Sequence, residues 1–293
     1  MTDDAKTPDA GAGGATLIDG RAIAAELRAG LKVEVTALRA RGIVPHLAVA
    51  VLGDDPAARS YVRGIERAAQ AVEAVCTVHR LPEDAAEEDL GALLDALGAD
   101  PTVHGIIVQT PLPAGLDITR AGMRVPVGKD VDGLNPISAG RLLLGLPSFA
   151  PATAAAVLEA VHRSGLTLRG AHAVVVGRSV VVGKPVALLL LREDATVTVC
   201  HSRTRDLPAV TRGADLLIAA VGRARMIGAG HVRPGAVVID VGINEVDGAM
   251  VGDVDAGAVT PIAGAITPVP GGIGPLTNVM LLRNLLAAAR DAV

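Results

Sequence analysis

Short apolar runs alternate along the first half of the chain with longer segments whose apolar residues recur at helical spacing. The stretches HLAVAVLG (46–53) and VHGIIVQTPLP (103–113) are nearly continuous in apolar residues until Gly, Pro or polar residues end them, which is typical of strands buried in a parallel sheet. Residues 17–45 and 60–75 have the periodicity of helices. Because strand and helix alternate, the first half is predicted to be α/β with a parallel sheet.

The alternation restarts in the second half, after a crossing that is rich in loop residues at 130–153 and turns helical at 154–165. From HAVVVGRS (172–179) onward, apolar runs again precede glycine-rich turns and helical segments, and the chain ends in a long helical stretch. The fold class predicted for the chain is therefore two α/β domains.

The predicted boundaries follow these composition changes. The segment 1–16 is expected to be a disordered tail, because it is polar and acidic. It is not predicted to be a signal peptide, since it has neither a basic start nor an apolar core. The first α/β domain is placed at 17–150 and the second at 151–275. The terminal helix, 276–293, is positioned to pack back on the first domain.

The composition of the chain argues against several classes of protein function. The chain has 293 residues, 50% of them apolar, but one Tyr, one Phe and no Trp, so platforms for stacking nucleic-acid bases are not expected. The net charge of −4 gives no attraction for a polyanion. The apolar stretches are interrupted before they reach membrane-spanning length, and Cys76 and Cys200 suggest neither a disulfide framework nor a zinc site. A cytoplasmic protein that handles small molecules, without metal, nucleic acid or membrane, is predicted.

A candidate dinucleotide-binding loop occurs at HAVVVGRSVVVGKP (172–185). A buried strand runs into the glycine loop with Gly177, Arg178, Ser179 and Gly183, and a helix is expected to start near Lys184 and Pro185. Such a turn directs backbone N–H groups and the positive end of a helix outward, which suits a pyrophosphate. The spacing departs from G-x-G-x-x-G, so an ordinary strand-to-helix turn without a ligand is the alternative.

The next strand favours NADP over NAD. An NAD site commonly has an acidic residue at the end of this strand for the ribose hydroxyls, but here the strand ends in Ser202, Arg203 and Thr204. A cation and hydroxyls suit a 2′-phosphate, and Arg178 adds a second guanidinium. Arginines on a solvated face are the alternative.

The ordered motifs of the chain resemble the methylenetetrahydrofolate dehydrogenase/cyclohydrolase family. In the second half they are GRSVVVGKP, ATVTVCHSRT, ADLLIAAVG, VVIDVGIN, VGDV and ITPVPGGIGPLTNVMLLRN. In the first half they are LIDGRAIA, VLGDDPAARSYV, GIIVQTPLP and KDVDGLNPISAGRL. The resemblance covers nearly all of the chain after the tail.

The resemblance implies a folate-side domain completed by the C-terminal helix, a Rossmann-type NADP-binding domain, a cleft between them and a homodimer. Its chemistry has two steps. A hydride leaves the one-carbon bridge of methylenetetrahydrofolate for NADP, which demands orientation more than proton transfer. The methenyl product is then hydrolysed to formyltetrahydrofolate, which requires protons to move.

Family site residues map onto Tyr61, Gln109 and Asp132, but the family's catalytic lysine maps onto Ile65. A shift in the matching does not restore the lysine, since none lies between Lys32 and Lys129. Ala58 also replaces a serine of the family pattern. Without the resemblance, the Tyr61 ring would fill a core, Gln109 would end a strand, and Asp132 would form a turn before a glycine.

Glycines near the C-terminus provide a further candidate contact. Gly271, Gly272 and Gly274 are flanked by prolines, which serves either tight turning or close approach of the backbone to a ligand. The nicotinamide end of the cofactor is the predicted ligand.

The favoured hypothesis is an NADP-dependent methylenetetrahydrofolate dehydrogenase whose cyclohydrolase activity is weak or lost, because Ile65 can neither donate nor accept a proton. A fully bifunctional enzyme, in which Gln109, Asp132 or water substitutes for the lysine, is the first alternative. A catalytically silent protein that binds folate and NADP is the second, and a dehydrogenase for a different substrate is the third.

Overall fold

The structure is a computed structural model that describes residues 14–292, apart from the side chains of Pro56 and Ala57. The predicted disordered tail therefore lies outside the described residues as far as residue 13. Thr16, the last residue of that predicted tail, lies in a short strand.

The chain alternates strands and helices. The strands are β1 Thr16–Leu17, β2 His46–Leu52, β3 Val75–Leu81, β4 Gly105–Val108, β5 His172–Val176, β6 Thr196–Cys200, β7 Leu216–Ala219, β8 Val237–Asp240, β9 Asn244–Val246, β10 Ala249–Val251 and β11 Ala265–Ile266. The helices are α1 Gly20–Ala40, α2 Pro56–Ala71, α3 Glu87–Ala99, α4 Ile118–Arg124, α5 Pro136–Leu143, α6 Ala152–Arg163, α7 Gly183–Arg192, α8 Leu207–Thr211, α9 Ala256–Val259 and α10 Ile273–Asp291. Among residues 14–292, none of the helices combines the length and the apolar character needed to cross a membrane.

Two compact units divide the chain. One, the three-stranded unit, contains Ala22–Ala155 and the described residues from Leu276 onward; the other, the six-stranded unit, contains the described residues up to Arg21 and Ala156–Pro275. The domain boundaries predicted from the sequence differ from these limits by a few residues and stay predictions.

The three-stranded unit has the parallel sheet β3-β2-β4. Its central strand, β2, is buried along almost its whole length, which explains the unbroken apolar run. One face packs in a cluster with Leu94, Leu97 and Ile106. The terminal helix α10 is tied to this unit by Asn284, whose amide donates to the backbone carbonyl oxygens of Val131 and Ala150 at 2.8 and 2.9 Å.

The six-stranded unit has the strand order β1-β11-β8-β7-β5-β6, and every neighbouring pair is parallel. From β5 the chain goes first to β6 on one side and then crosses to β7 on the other. The order therefore reverses between β5 and β7, and open α/β sheets bind ligands outside the carboxyl ends of the strands at such a point.

Short elements were missed by the sequence analysis. The stretch 130–153, predicted as loop-rich, contains α5, which starts where Asn135 Oδ1 accepts from Ile137 N at 2.8 Å and Pro136 occupies the first turn. The hairpin β9–β10 turns at Asp247 and Gly248, both with positive φ. Each has a local sequence signal, Asn-Pro for a helix start and Asp-Gly for a hairpin.

Lys129 has a structural role within the three-stranded unit. Its Nζ donates to the carbonyl oxygens of Leu97, Gly98 and Asp100 at 3.3, 2.8 and 2.6 Å. These carbonyls lie at the C-terminal end of α3, where backbone acceptors lack helical partners and a cation is favoured. Lys129, the first residue of the motif KDVDGLNPISAGRL, therefore caps a helix in the structure.

Replacing Lys129 with Met is expected to lower the free energy of unfolding by about 1–3 kcal/mol, since charge-assisted hydrogen bonds to three carbonyls are lost. Urea denaturation followed by circular dichroism measures this change. Lys32→Met is the matched control, because its ammonium forms an exposed ion pair with Glu73, and such pairs contribute less than about 1 kcal/mol. Equal destabilisation by the two substitutions would contradict the capping role.

Candidate functional site

Tyr61 and Asp132 both belong to the three-stranded unit, and their side chains interact electrostatically. Tyr61 is on α2, and Asp132 lies in the loop that follows a single helical turn at Val127–Lys129. Burial raises the pKa of the Tyr61 hydroxyl above its ordinary value, and the nearby Asp132 charge raises it further. The hydroxyl therefore stays protonated at neutral pH and is available as a hydrogen-bond donor.

The Asp132 carboxyl is tuned towards neutral pH. Burial raises its pKa to about 6, and the charge of Asp130 acts in the same direction. A hydrogen bond from Ala152 N to Asp132 Oδ1, at 3.0 Å, partly opposes that shift. Asp130 shapes the loop itself, because its two carboxylate oxygens accept from the backbone N–H groups of Leu134 and Asn135. An acid with this pKa exchanges protons readily near pH 7.

The other site positions predicted in the three-stranded unit, Gln109, Ile65 and Ala58, are buried. Gln109 is buried just after β4, and its Nε2 donates to the carbonyl oxygen of the next residue, Thr110, at 2.6 Å. Ile65 lies one helical turn after Tyr61 on α2 and is only 1% exposed. Ala58, at the start of the same helix, is also buried. The position to which the resemblance assigns a lysine thus holds a packed aliphatic side chain.

Asn278 was missed by the sequence analysis. It lies on α10, and its Nδ2 is 3.1 Å from where a Cβ on Gly64 would stand. Gly64 falls between Tyr61 and Ile65 on α2, so the amide packs beside the helix that carries both. No local pattern reveals this contact, since more than 200 residues of chain separate the two positions.

The predicted dinucleotide loop follows β5 in the six-stranded unit. Gly177 has φ +133°, and a Cβ there would lie 2.2 Å from the carbonyl oxygen of Ala220. A Cβ on Gly183, at the start of α7, would lie 2.2 Å from the carbonyl oxygen of Gly177. Both glycines are therefore needed for close backbone contacts within the protein, whether or not a ligand binds.

The N–H groups at the start of α7 were expected to face outward, but in the structure they donate within the chain. Ser179 Oγ accepts from Val182 N and Gly183 N at 3.1 and 3.3 Å, and the Ser179 carbonyl oxygen accepts from Lys184 N at 3.1 Å. A serine three or four residues before the helix satisfies donors that a bound pyrophosphate was expected to use. The helix dipole and the arginine side chains then remain for phosphate attraction.

The end of β6 forms a tight turn. Thr204 Oγ1 accepts from His201 N at 2.9 Å, and His201 Nδ1 accepts from Arg203 N at 3.1 Å. The Thr204 hydroxyl therefore helps to hold the turn, while Ser202 and Arg203 are exposed. Of the three residues predicted for a 2′-phosphate, the structure leaves these two side chains open to solvent.

The loops after β5 and β6 meet at one edge of the sheet, since Val176 is paired with Cys200. Arg178 and Arg203 are both exposed at this edge. Two guanidinium groups and the Ser202 hydroxyl supply the donors that phosphate groups require, and the acidic residue typical of an NAD site is absent from the described turn 201–204. The donor set fits NADP.

The glycines at 271–274 have different roles. Gly272 packs against α1, because a Cβ on Gly20 would lie 1.8 Å from the Gly272 carbonyl oxygen. Gly271 has φ +115°, a conformation that favours glycine. A Cβ on Gly274 would meet nothing within 4 Å, so space is open at that position. Close packing within the chain accounts for Gly272, whereas a ligand contact for Gly271 and Gly274 stays a prediction.

A pair of buried carboxylates at the same sheet edge was also missed. Asp240 ends β8, and Asp253 follows β10; they are 4% and 0% exposed. Burial raises the pKa of Asp240 to about 6. Both residues occur in sequence motifs that suggested the family, but nothing in their spacing shows that they would stack or which loop they would hold.

Comparison with known proteins agrees with this arrangement. Residues 18–132 match the catalytic domain of tetrahydrofolate dehydrogenase/cyclohydrolase, and residues 151–293 match the NAD(P)-binding domain of the same enzymes. The bifunctional protein FolD of Parafrankia sp. (strain EAN1pec) is 61% identical over 273 residues, which cover 93% of this chain and 98% of that protein.

Solved structures show the same fold. Bifunctional FolD from Campylobacter jejuni superposes with a TM-score of 0.93 at 40% identity, covering 95% of this chain and 99% of that one. The Trypanosoma brucei enzyme, solved with NADP and an inhibitor, gives a TM-score of 0.91 at 36% identity, covering 95% and 98%. The two matched domains and the 61% identity show that the chain belongs to the tetrahydrofolate dehydrogenase/cyclohydrolase family.

Proposed function

We propose that the protein oxidises methylenetetrahydrofolate with NADP and also hydrolyses the methenyl product, the second step running more slowly than in an enzyme with a lysine at position 65. The observation that carries this proposal is the electrostatic coupling of Tyr61 and Asp132: the Asp132 charge raises the pKa of the Tyr61 hydroxyl, and burial raises the pKa of Asp132 itself to about 6. The bifunctional names of its relatives, at up to 61% identity, favour the two-step reaction over complete loss of the second step.

The first step asks the chain to bind and orient. NADP⁺, when bound, accepts the hydride from the one-carbon bridge. Arg203 and Ser202 are assigned to its 2′-phosphate and Arg178 to the pyrophosphate, with Gly271 and Gly274 at the nicotinamide end. Since the folate nitrogens supply the electrons, no acid or base is required of the protein. The Ile65 substitution therefore leaves this step in place.

The second step asks for proton transfer. Water adds to the methenyl carbon, and its oxygen becomes the formyl oxygen, so both of its protons must leave. One proton goes to the ring nitrogen as the bond between that nitrogen and the one-carbon unit breaks, and the other is released to solvent. Asp132 is assigned the role of base, because a carboxyl of pKa about 6 is mostly ionised at pH 7. Tyr61 is assigned as a hydrogen-bond donor and Gln109 as a polar contact to the folate.

A dehydrogenase without cyclohydrolase activity is the second candidate, favoured by the burial of Ile65. A general acid or base contributes about 10²–10⁴ in rate, and the neighbouring arginines offer no replacement. Arg63 and Arg67 are exposed, and Arg67 Nε donates to the Arg63 carbonyl oxygen. Guanidinium groups also hold their protons at neutral pH.

A homodimer and a cytoplasmic location stay part of the proposal. β6 is an edge strand, it carries no charged residue, and Val199 is 41% exposed. An uncharged edge is a suitable surface for pairing with a second copy. Sedimentation would give twice the chain mass of 29.5 kDa for a dimer.

Ile65→Lys is expected to accelerate methenyl hydrolysis at least tenfold, since an amine restores a general acid or base. Wild type is expected to reduce NADP with methylenetetrahydrofolate at a comparable rate to the variant. Ile65→Met is the matched control, because it fills similar volume without a titratable group. If wild type does not reduce NADP, a silent binder or a different substrate is favoured. If Ile65→Lys leaves the hydrolysis rate unchanged, residue 65 does not limit proton transfer.

The pH profile of hydrolysis tests Asp132. Above its pKa of about 6 the carboxyl is ionised and can accept a proton, whereas below it the base is lost. The enzymatic rate, after subtraction of the buffer rate, is expected to rise through pH 6 and level above pH 7. Asp132→Asn should abolish this inflection and lower the rate about 100-fold. An inflection that persists in Asp132→Asn would assign it to another group.

Arg203→Gln is expected to raise KM for NADP about tenfold and leave KM for NAD nearly unchanged, because a charge-assisted contact to the 2′-phosphate is lost. Steady-state kinetics with both cofactors measures the difference. Arg205→Gln, an exposed arginine two residues further on, is the control and should behave like wild type. Equal effects on NADP and NAD would contradict the assignment.

A further inference from the structure

The loop after β7 closes around a buried carboxylate. Asp253 Oδ2 accepts from Val221 N and Gly222 N at 2.6 and 2.9 Å, and Asp253 Oδ1 accepts from Arg223 N at 2.8 Å. Three consecutive backbone N–H groups thus converge on one side chain, and the position of the loop 220–223 depends on it.

Asp253 is itself held in place by hydrogen bonds with Asp240 and Asn244. Its backbone N–H donates to Asp240 Oδ1 at 2.9 Å, and the N–H of Val254 donates to Asp240 Oδ2 at 2.9 Å. Asn244 Nδ2 donates to Asp253 Oδ1 at 3.0 Å. A Cβ on Gly252 would lie 1.8 Å from Asp240 Oδ2, so the packing leaves no room for a side chain there. Asp253 is fixed on both sides and is 0% exposed.

The loop that Asp253 holds borders the proposed cofactor loop. Val176 is paired with Ala219, so the chain leaves β5 and β7 side by side. The Ala220 carbonyl oxygen occupies the space that a Cβ on Gly177 would need, 2.2 Å away. This contact lies where the strand order reverses, between β5 and β7, which is the position of ligand crevices in open α/β sheets.

We propose that Asp253 is a positioning residue for NADP binding: by holding the N–H groups of residues 221–223, it keeps loop 220–223 against Gly177 as one wall of the dinucleotide site. The inference rests on the proposed use of NADP by this unit. Asp253 acts through the loop and does not itself contact the cofactor, since its carboxylate oxygens already accept four hydrogen bonds.

The consequence follows from the loss of acceptors. In Asp253→Asn, an NH₂ group replaces one carboxylate oxygen and cannot accept the hydrogen bonds which that oxygen received. Donors that face it lose their partner, and the loop is free to leave Gly177. We expect the dissociation constant for NADPH to rise about tenfold or more, the size of effect that loss of one charge-assisted hydrogen bond produces.

The experiment is a calorimetric titration of NADPH into the full-length wild type and into three variants. Asp253→Asn is the test, and Arg203→Gln is the positive control. Asp215→Asn is the matched control, because Asp215 lies at the opposite end of β7, where it accepts from His172 N at 2.8 Å and pairs with Arg233. Asp215→Asn should lower the melting temperature but change NADPH affinity less than about twofold.

A tenfold weakening confined to Asp253→Asn and the positive control supports the inference. An affinity of Asp253→Asn within twofold of wild type overturns it, as does equal weakening by Asp215→Asn, which would indicate general destabilisation. Absence of NADPH binding by wild type would instead overturn the proposed function, on which the inference depends.

Hydrogen exchange gives a second measurement that needs no variant. NADPH is expected to slow exchange of the amides of residues 221–223 in wild type, because a bound cofactor holds the loop closed. Unchanged exchange at these amides, under conditions where exchange slows in the turn 201–204, would overturn the inference even if Asp253→Asn fails to fold.

Discussion

The backbone N–H groups of loops that leave buried parallel strands need acceptors, and in this protein carboxylates and a serine provide them. The Asp253 carboxylate accepts hydrogen bonds from three N–H groups after β7, and the Asp240 carboxylate accepts from the N–H groups of Asp253 and Val254. The Ser179 hydroxyl accepts from two N–H groups at the start of α7. Asp130 does the same for the loop that carries Asp132 in the three-stranded unit. Because an N–H without an acceptor is costly when buried, these side chains determine where the functional loops lie.

The carboxyls of Asp132 and Asp240, which lie in these loop regions, have a raised pKa. Burial raises the pKa of a carboxyl, because the charged form loses its hydration. The pKa values of Asp132 and Asp240 are both raised to about 6. At Asp132 the result is a carboxyl that the proposed hydrolysis would use as a proton acceptor, in the same unit as Tyr61 and Ile65. In the proposed second step, proton transfer would therefore fall on a group whose position is set by the loop that carries it.

The sequence was sufficient for the elements with strong periodicity. The strands His46–Leu52 and His172–Val176 and the helix that carries Tyr61 were predicted because buried strands are continuous apolar runs and helices repeat at 3.6 residues. Short elements such as α5 lack that repeat, and only its Asn-Pro start indicated a helix. The resemblance placed Tyr61 and Asp132, and the structure brings these two together.

Long-range contacts were beyond prediction. Lys129 caps a helix about 30 residues away, and Asp253 holds a loop that precedes it by about 30 residues. Neither partner is marked by residue type, since backbone carbonyl and N–H groups occur throughout the chain. The capping of α7 by Ser179 likewise reversed the expectation of free N–H groups, because a serine in a glycine loop is compatible with either arrangement.

The most direct test of the account is the rate at which wild type, supplied with the methenyl compound alone, produces formyltetrahydrofolate at pH 7. We expect a rate above that of buffer and dependent on Asp132, which would show that proton transfer occurs with Ile at position 65. A rate equal to that of buffer would contradict it and leave a dehydrogenase whose product must be hydrolysed elsewhere.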